Sequence, residues 1–364
     1  MNLREGSFGM QESASAAAIA VIVVGIFSIN NADVYARGNS MWLSSIIALA
    51  ICSVLFLCLI RAMEKNRCNS LFELCHAVLG KVIGSLAIYA LVLLMLLAAI
   101  LPLNGFLQTL TRFIFTEASD ESIAIYFLVG SSVLSMLGME ILARTSRLII
   151  WLIPLSFIAV FAISASEFEA YRLYPLAGSD ARELLRQVAL SLFRYLMPLL
   201  ALLSVSRGTQ GLRFSKKAGL IALASGGVLS VLCFLAEGLR YGYTDLSSMS
   251  SPIYRLISEA RFSESSFRVD KAILFIWVMA GILSAAYFVY SASLLYCKKT
   301  GVGDIRPVAL CMSGLALTFL LMLRLNVGIV ECIMARLYSD AWMVMLVPVV
   351  LLCIIGGAKR RKSV

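Results

Sequence analysis

Histidine is nearly missing from this chain, one residue in 364, and only 14% of the residues are charged. A single imidazole rules out the histidine-rich zinc centres that drive metal-assisted hydrolysis. So few charges cannot clothe a water-soluble fold: 60% of residues are hydrophobic and the mean hydropathy is +0.91. That combination excludes an ordinary soluble domain. Paired carboxylates inside the apolar runs are also lacking, which argues against an enzyme built within the membrane. No feature calls for a cofactor.

The apolar runs define ten spans, at about 13–30, 41–61, 83–108, 123–141, 147–165, 188–206, 218–239, 271–297, 307–325 and 341–357. No stretch outside them is long enough to bury a core, so residues 1–364 form one integral membrane domain in a lipid bilayer. Charge then sets the orientation. With the N-terminus inside, inner segments hold 18 basic and six acidic residues, outer segments hold 12 and 15, and Arg194 is left within a span. This is the positive-inside pattern of a membrane protein and not a nucleic-acid footprint. It places both termini in the cytoplasm.

Most of the nine cysteines fall in spans and serve as small apolar fillers. Cys68, Cys75 and His76 share an inner loop, but their spacing fits no standard metal site. The run after residue 12 could be read as a signal peptide cut after Val34-Tyr35-Ala36. A barely basic start and the polar Asn30, Asn31 and Asp33 favour a first transmembrane helix instead.

Span six, Gln187 to Ser206, carries Arg194 seven residues inside it and Pro198 four residues later. A guanidinium at that depth costs at least a few kcal/mol, and the proline removes a helix hydrogen bond. Both together predict a broken helix whose freed backbone faces protein or a cavity. In span one, Gly25-Ile26-Phe27-Ser28-Ile29-Asn30 is expected to unwind in the same way. Each half of the chain opens with such a span, and each has a long third member, 83–108 and 271–297, behind a long loop with an amphipathic stretch. Five spans per half require the second half to be inverted. The expectation is therefore an all-α membrane protein with ten transmembrane helices, repeat one over about 13–165 and repeat two over about 188–357. Helices one and six are discontinuous, as in a 5+5 inverted-repeat transporter.

Several stretches then resemble one family. Gly80-Lys81 with Gly84 precedes span three, and Gly138-Met139-Glu140 with Arg144 lies between spans four and five. Phe267-Arg268-Val269-Asp270-Lys271 leads to Ile276-Trp277, Tyr287 and Tyr290. In order, spacing and length these are similar to the endospore germination permeases, the B subunits of nutrient germinant receptors. The resemblance implies a LeuT/APC-like amino-acid-permease fold in the spore inner membrane. It also implies a membrane A subunit and a lipoprotein C subunit as partners, and a nutrient, often an amino acid, as ligand. Phe193-Arg194-Tyr195 departs from the small or acidic residues more usual there.

That geometry puts a ligand between spans one, three, six and eight. The expected binding residues are Gly25, Phe27 and Ser28 of span one, Arg194 and Tyr195 of span six, and Ser284 and Tyr287 of span eight. Amides freed at the breaks would receive a carboxylate. For Arg194 three placements are open: contact with a carboxylate ligand, a structural pair with Glu237 or Glu140, or snorkelling to the membrane edge. Tyr287 and Tyr290 could equally pack between helices, and Ser284 could bond a carbonyl one turn earlier. Residues 166–187 are either a lid or a plain connector. Span five holds no lysine or acid that could stand in for sodium, while Ser291 and Ser293 are possible sodium ligands. Two functions compete on these residues: a germinant receptor subunit, and a cation-coupled amino-acid symporter.

Overall fold

The computed structural model describes residues 8–28, 40–113, 119–174, 176, 181–205, 211–242, 245–246, 249, 252–259, 269–324, 336 and 343–356. The suggested cleavage site at 34–36, the polar residues 30–33 and the Phe267-Arg268 pair lie outside that set.

The described chain is helical throughout. Its helices are α1 (Met10–Phe27), α2 (Met41–Lys65), α3 (Leu71–Phe113), α4 (Asp120–Leu137), α5 (Met139–Ile149), α6 (Leu152–Ser164), α7 (Ala181–Ser204), α8 (Leu212–Ala222), α9 (Val228–Arg240), α10 (Pro252–Glu259), α11 (Val269–Thr300) and α12 (Ile305–Arg324). A last helix, α13, spans Met343–Gly356. The described part of each of the ten apolar runs is mostly helical, with interruptions at Gly138 in the fourth and at Ile150-Trp151 in the fifth. Among the described residues eight helical segments are long and apolar enough to cross a membrane, and Glu121–Leu137 and Met343–Gly356 are shorter apolar helices.

Local chemistry sets the boundaries. Gly80 adopts φ 77°, so the amphipathic stretch 71–79 turns sharply into the long apolar part of α3. Gly138 does the same between α4 and α5, at φ 97°. Between α8 and α9, Leu223–Gly227 forms a π turn. Gly226 there lies so near α1 that an added Cβ would stand 2.8 Å from the Ala18 carbonyl oxygen.

α1 and α7 lie at the centre, almost wholly buried, while α2, α6 and α12 leave apolar faces exposed as lipid-facing helices do. The closest pairings are α3 with α11, α4 with α12, α2 with α7, and α1 with α8.

Two expectations are corrected here. α7 runs unbroken from Ala181 to Ser204 through Arg194 and Pro198. Proline costs about 3 kcal/mol in a helix interior, yet this one is buried and the Tyr287 hydroxyl donates to its carbonyl at 3.0 Å. Tertiary packing holds the helix where the local sequence opposes it. α1 is helical through Gly25 and Phe27, so the expected unwinding does not begin there; it ends at Ser28, whose amide caps it by donating to the Val24 carbonyl at 3.3 Å, and Ile29 and Asn30 lie outside the described residues.

Candidate functional site

α1 ends in the middle of the protein, and its last carbonyls form the negative pole of a helix dipole. The expected freed amides are therefore not at Gly25 to Phe27. Arg194 of α7 meets that pole. One of its terminal nitrogens points to the Gly25 carbonyl at 3.4 Å, and the other donates to the Ser191 hydroxyl, one turn earlier, at 3.1 Å. Its Nε is buried without a hydrogen-bond partner.

The side chain is 1% exposed, so it does not snorkel. No carboxylate among the described residues lies within ion-pairing distance of it. Glu140 instead pairs with Arg144 at 2.5 Å, and Glu237 accepts from the Cys233 thiol at 3.7 Å. A buried cation without a counter-charge costs several kcal/mol. A helix C-terminus returns at most about 2 kcal/mol, and one good charged hydrogen bond about 1.5–3 kcal/mol. The guanidinium is left short of anionic partners.

Other buried polar groups gather around it. The Tyr195 hydroxyl lies towards Ser45 of α2 and Ser230 of α9, without a hydrogen bond of normal geometry to either. Gly25 makes room for both: a Cβ there would fall 2.8 Å from the Ser230 hydroxyl and 3.4 Å from the Tyr195 ring. Ser28 at the end of α1, and Ser284 and Ser291 on α11, are buried with unpartnered hydroxyls, whereas Ser293 donates to the Val289 carbonyl at 2.7 Å.

Phe27 belongs to an aromatic cluster. Its ring stands edge-on to Phe106 of α3 at 4.9 Å and to Trp277 of α11 at 5.0 Å, and Trp277 also meets Phe157 of α6 at 4.9 Å. The Trp277 indole donates to Ser156 at 3.3 Å. Gly105 of α3 lets the Phe27 carbonyl approach, since a Cβ would fall 2.3 Å from its oxygen.

The expected residues thus divide. Gly25, Arg194 and Tyr195 converge on one point, and Phe27 and Ser28 sit at the helix end just beyond it. Tyr287 is engaged in packing against Pro198, and Ser284 is buried on α11 without bonding the carbonyl a turn earlier. Ser191, Ser45, Ser230 and the aromatic partners of Phe27 were not anticipated. Only Ser191 had a signal, its i−3 spacing from Arg194 on one helix face. Among the described residues no group of three metal-binding side chains forms, at His76 or elsewhere.

A family model described as "Spore germination protein" matches residues 11–326. The chain belongs to the spore germination protein family. No curated protein matches it.

Solved structures share the fold of this spore germination protein. A Na+-coupled sialic acid symporter in a substrate-bound outward-open state has a TM-score of 0.62 at 12% identity, covering 92% of this chain and 78% of the other. MHP1, a nucleobase-cation-symport-1 family transporter closed around bromovinylhydantoin, has 0.62 at 15% identity, covering 92% and 76%. A manganese transporter of Eremococcus coleocola has 0.52 at 12% identity, covering 95% and 76%. Identities this low speak for fold alone. The spore germination protein is all-α and multi-spanning and shares the fold of these transporters, and its family is one of permeases, not of enzymes.

Proposed function

We propose that this chain is the nutrient-binding B subunit of a germinant receptor in the spore inner membrane, and that its ligand carries a carboxylate, as an amino acid does. The observation that carries this reading is Arg194: a buried, unpaired guanidinium with an unused donor, beside unpartnered hydroxyls at the end of a helix. A ligand carboxylate supplies the missing counter-charge. The ligand-contact residues are Gly25, Phe27, Ser28, Arg194, Tyr195, Ser284 and Tyr287, the last through its hold on Pro198. The bundle has ten spans in a five-plus-five inverted repeat with both termini cytoplasmic. Partner A and C subunits, expected from the family, relay the change of state.

Arg194→Leu tests it in spores whose only receptor contains this chain. The variant protein accumulates normally but loses its response to every carboxylate nutrient in a panel of amino acids and nucleosides. A normal dose-response curve in that variant overturns the reading.

A second reading, a cation-coupled amino-acid symporter, is favoured by the solved structures of like fold, which include a Na+-coupled symporter and a nucleobase-cation-symport-1 family transporter. Uptake into vesicles containing this chain alone separates the two. Concentrative, cation-dependent accumulation of a labelled amino acid selects the symporter, and binding without accumulation selects the receptor.

A further inference from the structure

A concavity away from Arg194 lies at the end of the bundle that carries Arg144, Arg147, Arg213, Lys216 and Lys217. It is a cavity of about 350 Å³ between the first half of α1, the junction of α5 with α6, and the π turn at 223–227. That volume falls within the ~300–1,000 Å³ of small-molecule sites. Its floor is α1 at Ala14, Ala18 and Ile22, and its sides are Pro154 on α6 and Ile221 and Leu229 flanking the π turn. The close approach of Gly226 to the Ala18 carbonyl fixes floor to wall.

Apolar ridges flank the two walls: Trp151 stands one helical turn from the exposed Leu148 and Leu155, and Ile221 is followed along its wall by the exposed Val228 and Leu232. Such ridges face hydrocarbon in a membrane, so the trough between them opens to lipid and not to an aqueous vestibule.

Polar groups that lack partners crowd one end. The exposed Arg147 guanidinium forms no ion pair among the described residues, and neither the Gln11 side-chain amide nor the Trp151 indole N–H has a protein partner there. Trp151 is 76% exposed, the position of an amphipathic ring at a membrane interface. An apolar trough open to lipid with an unpaired cation and two neutral donors at its interfacial end is the complement of a phospholipid. The charge selects an anionic one, because a choline or ammonium headgroup brings a second cation to Arg147.

We propose that this groove binds one anionic phospholipid, its phosphate held by Arg147 at the basic rim and an acyl chain lying along α1 between α6 and the π turn. The bound lipid braces the first half of α1 against α6 and α8. The site is separate from Arg194 and stands whether the chain is receptor or symporter.

Native mass spectrometry of the full-length chain from mixed micelles tests this, with phosphatidylglycerol and phosphatidylcholine as probes. The wild type retains one phosphatidylglycerol in preference to phosphatidylcholine. Arg147→Gln cuts that retention roughly tenfold or more, the scale of one charge-assisted hydrogen bond, and erases the preference, whereas Arg147→Lys keeps it. Ser15→Phe, which fills the mouth from a half-exposed position, lowers retention of both lipids. Arg144→Gln, outside the groove and paired with Glu140, changes neither. Equal retention of the two lipids by the wild type overturns the proposal, as does an unaltered preference in Arg147→Gln or an equal loss in Arg144→Gln. Undiminished retention in Ser15→Phe removes the chain from the groove.

Discussion

Gly105 and Gly130 are both helical glycines in apolar surroundings, yet their neighbours differ in kind. A Cβ at Gly105 would fall 2.3 Å from the Phe27 carbonyl oxygen, which is main chain and cannot swing aside. At Gly130 it would meet only the two methyl groups of Ile282, at 3.5 and 3.7 Å. Alanine gains about 1 kcal/mol over glycine inside a helix, while overpacking against fixed atoms costs about 1–3 kcal/mol. Gly105→Ala should therefore lower the unfolding temperature in detergent, and Gly130→Ala should hold or raise it. Equal shifts would mean that α1 and α3 do not approach as closely as described. The same distinction recasts Gly25. The sequence suggests that it loosens a helix, but Gly25 is helical and leaves space for Ser230 and Tyr195. A lone glycine in an apolar run signals either use, and only its neighbours choose between them.

At the scale of elements, apolar runs of about twenty residues were enough to find the helices, because each segment crossing lipid must satisfy its own backbone. Helix breaks are another matter. Whether Pro198 interrupts α7 depends on the Tyr287 hydroxyl and on packing from distant segments, and no local pattern encodes those. The outer loops were equally illegible. Within the stretch 166–187, open as lid or connector, two described residues tie to the end of α9: the Glu169 amide donates to the Leu239 carbonyl at 3.0 Å, and Arg172 donates to the Arg240 carbonyl. Arg240 then pairs with Glu167 at 2.8 Å and with Glu259 of α10 at 3.0 Å, and the Tyr241 hydroxyl donates to Glu259 at 2.8 Å. Burial, then the Glu259 carboxylate, pushes the Tyr241 phenol up, so it stays a neutral donor. A Tyr171 hydrogen bond, reinforced by Arg172, holds the Glu169 carboxyl below its ordinary range. That stabilisation is present above the unfolded carboxylate pKa and fades as pH falls through the lower folded value, so mild acid leaves this tie intact. Arg240→Met removes the hub. Both carboxylates are partly exposed, so the loss is about 1–2 kcal/mol. Hydrogen exchange should quicken at 165–173 and 252–259 and stay unchanged in α1 and α7. Uniform quickening would make Arg240 a global support, and no change would leave the two loops untied.

For the whole molecule, the pairings of helices carry an argument that letter similarity is too faint to make. If α1 and α7 are equivalent, and so are α2 and the α8–α9 unit, then the contact of α1 with α8 is the counterpart of the contact of α7 with α2. Both are among the closest in the bundle. The third helices of each half, α3 and α11, pair with each other, as do the fourth, α4 and α12, as elements related by an axis in the membrane plane do when they lie beside it. This supports the proposed inverted repeat. Arg194 was legible as an anomaly because a charge inside a span is costly wherever it points. The cluster of Phe27, Phe106, Trp277 and Phe157 was not, since it joins four helices far apart in sequence. That cluster lies against the end of α1, next to Ser28, and closes the centre on that side. Aromatic contacts of this kind contribute about 0.5–1.5 kcal/mol each. Trp277→Ala removes two of them, so a Ser28→Cys thiol in the Trp277→Ala background should react with a small maleimide roughly tenfold faster than in the Ser28→Cys chain alone. An unchanged rate would mean that access to Arg194 runs by another route and that the aromatic cluster serves packing alone.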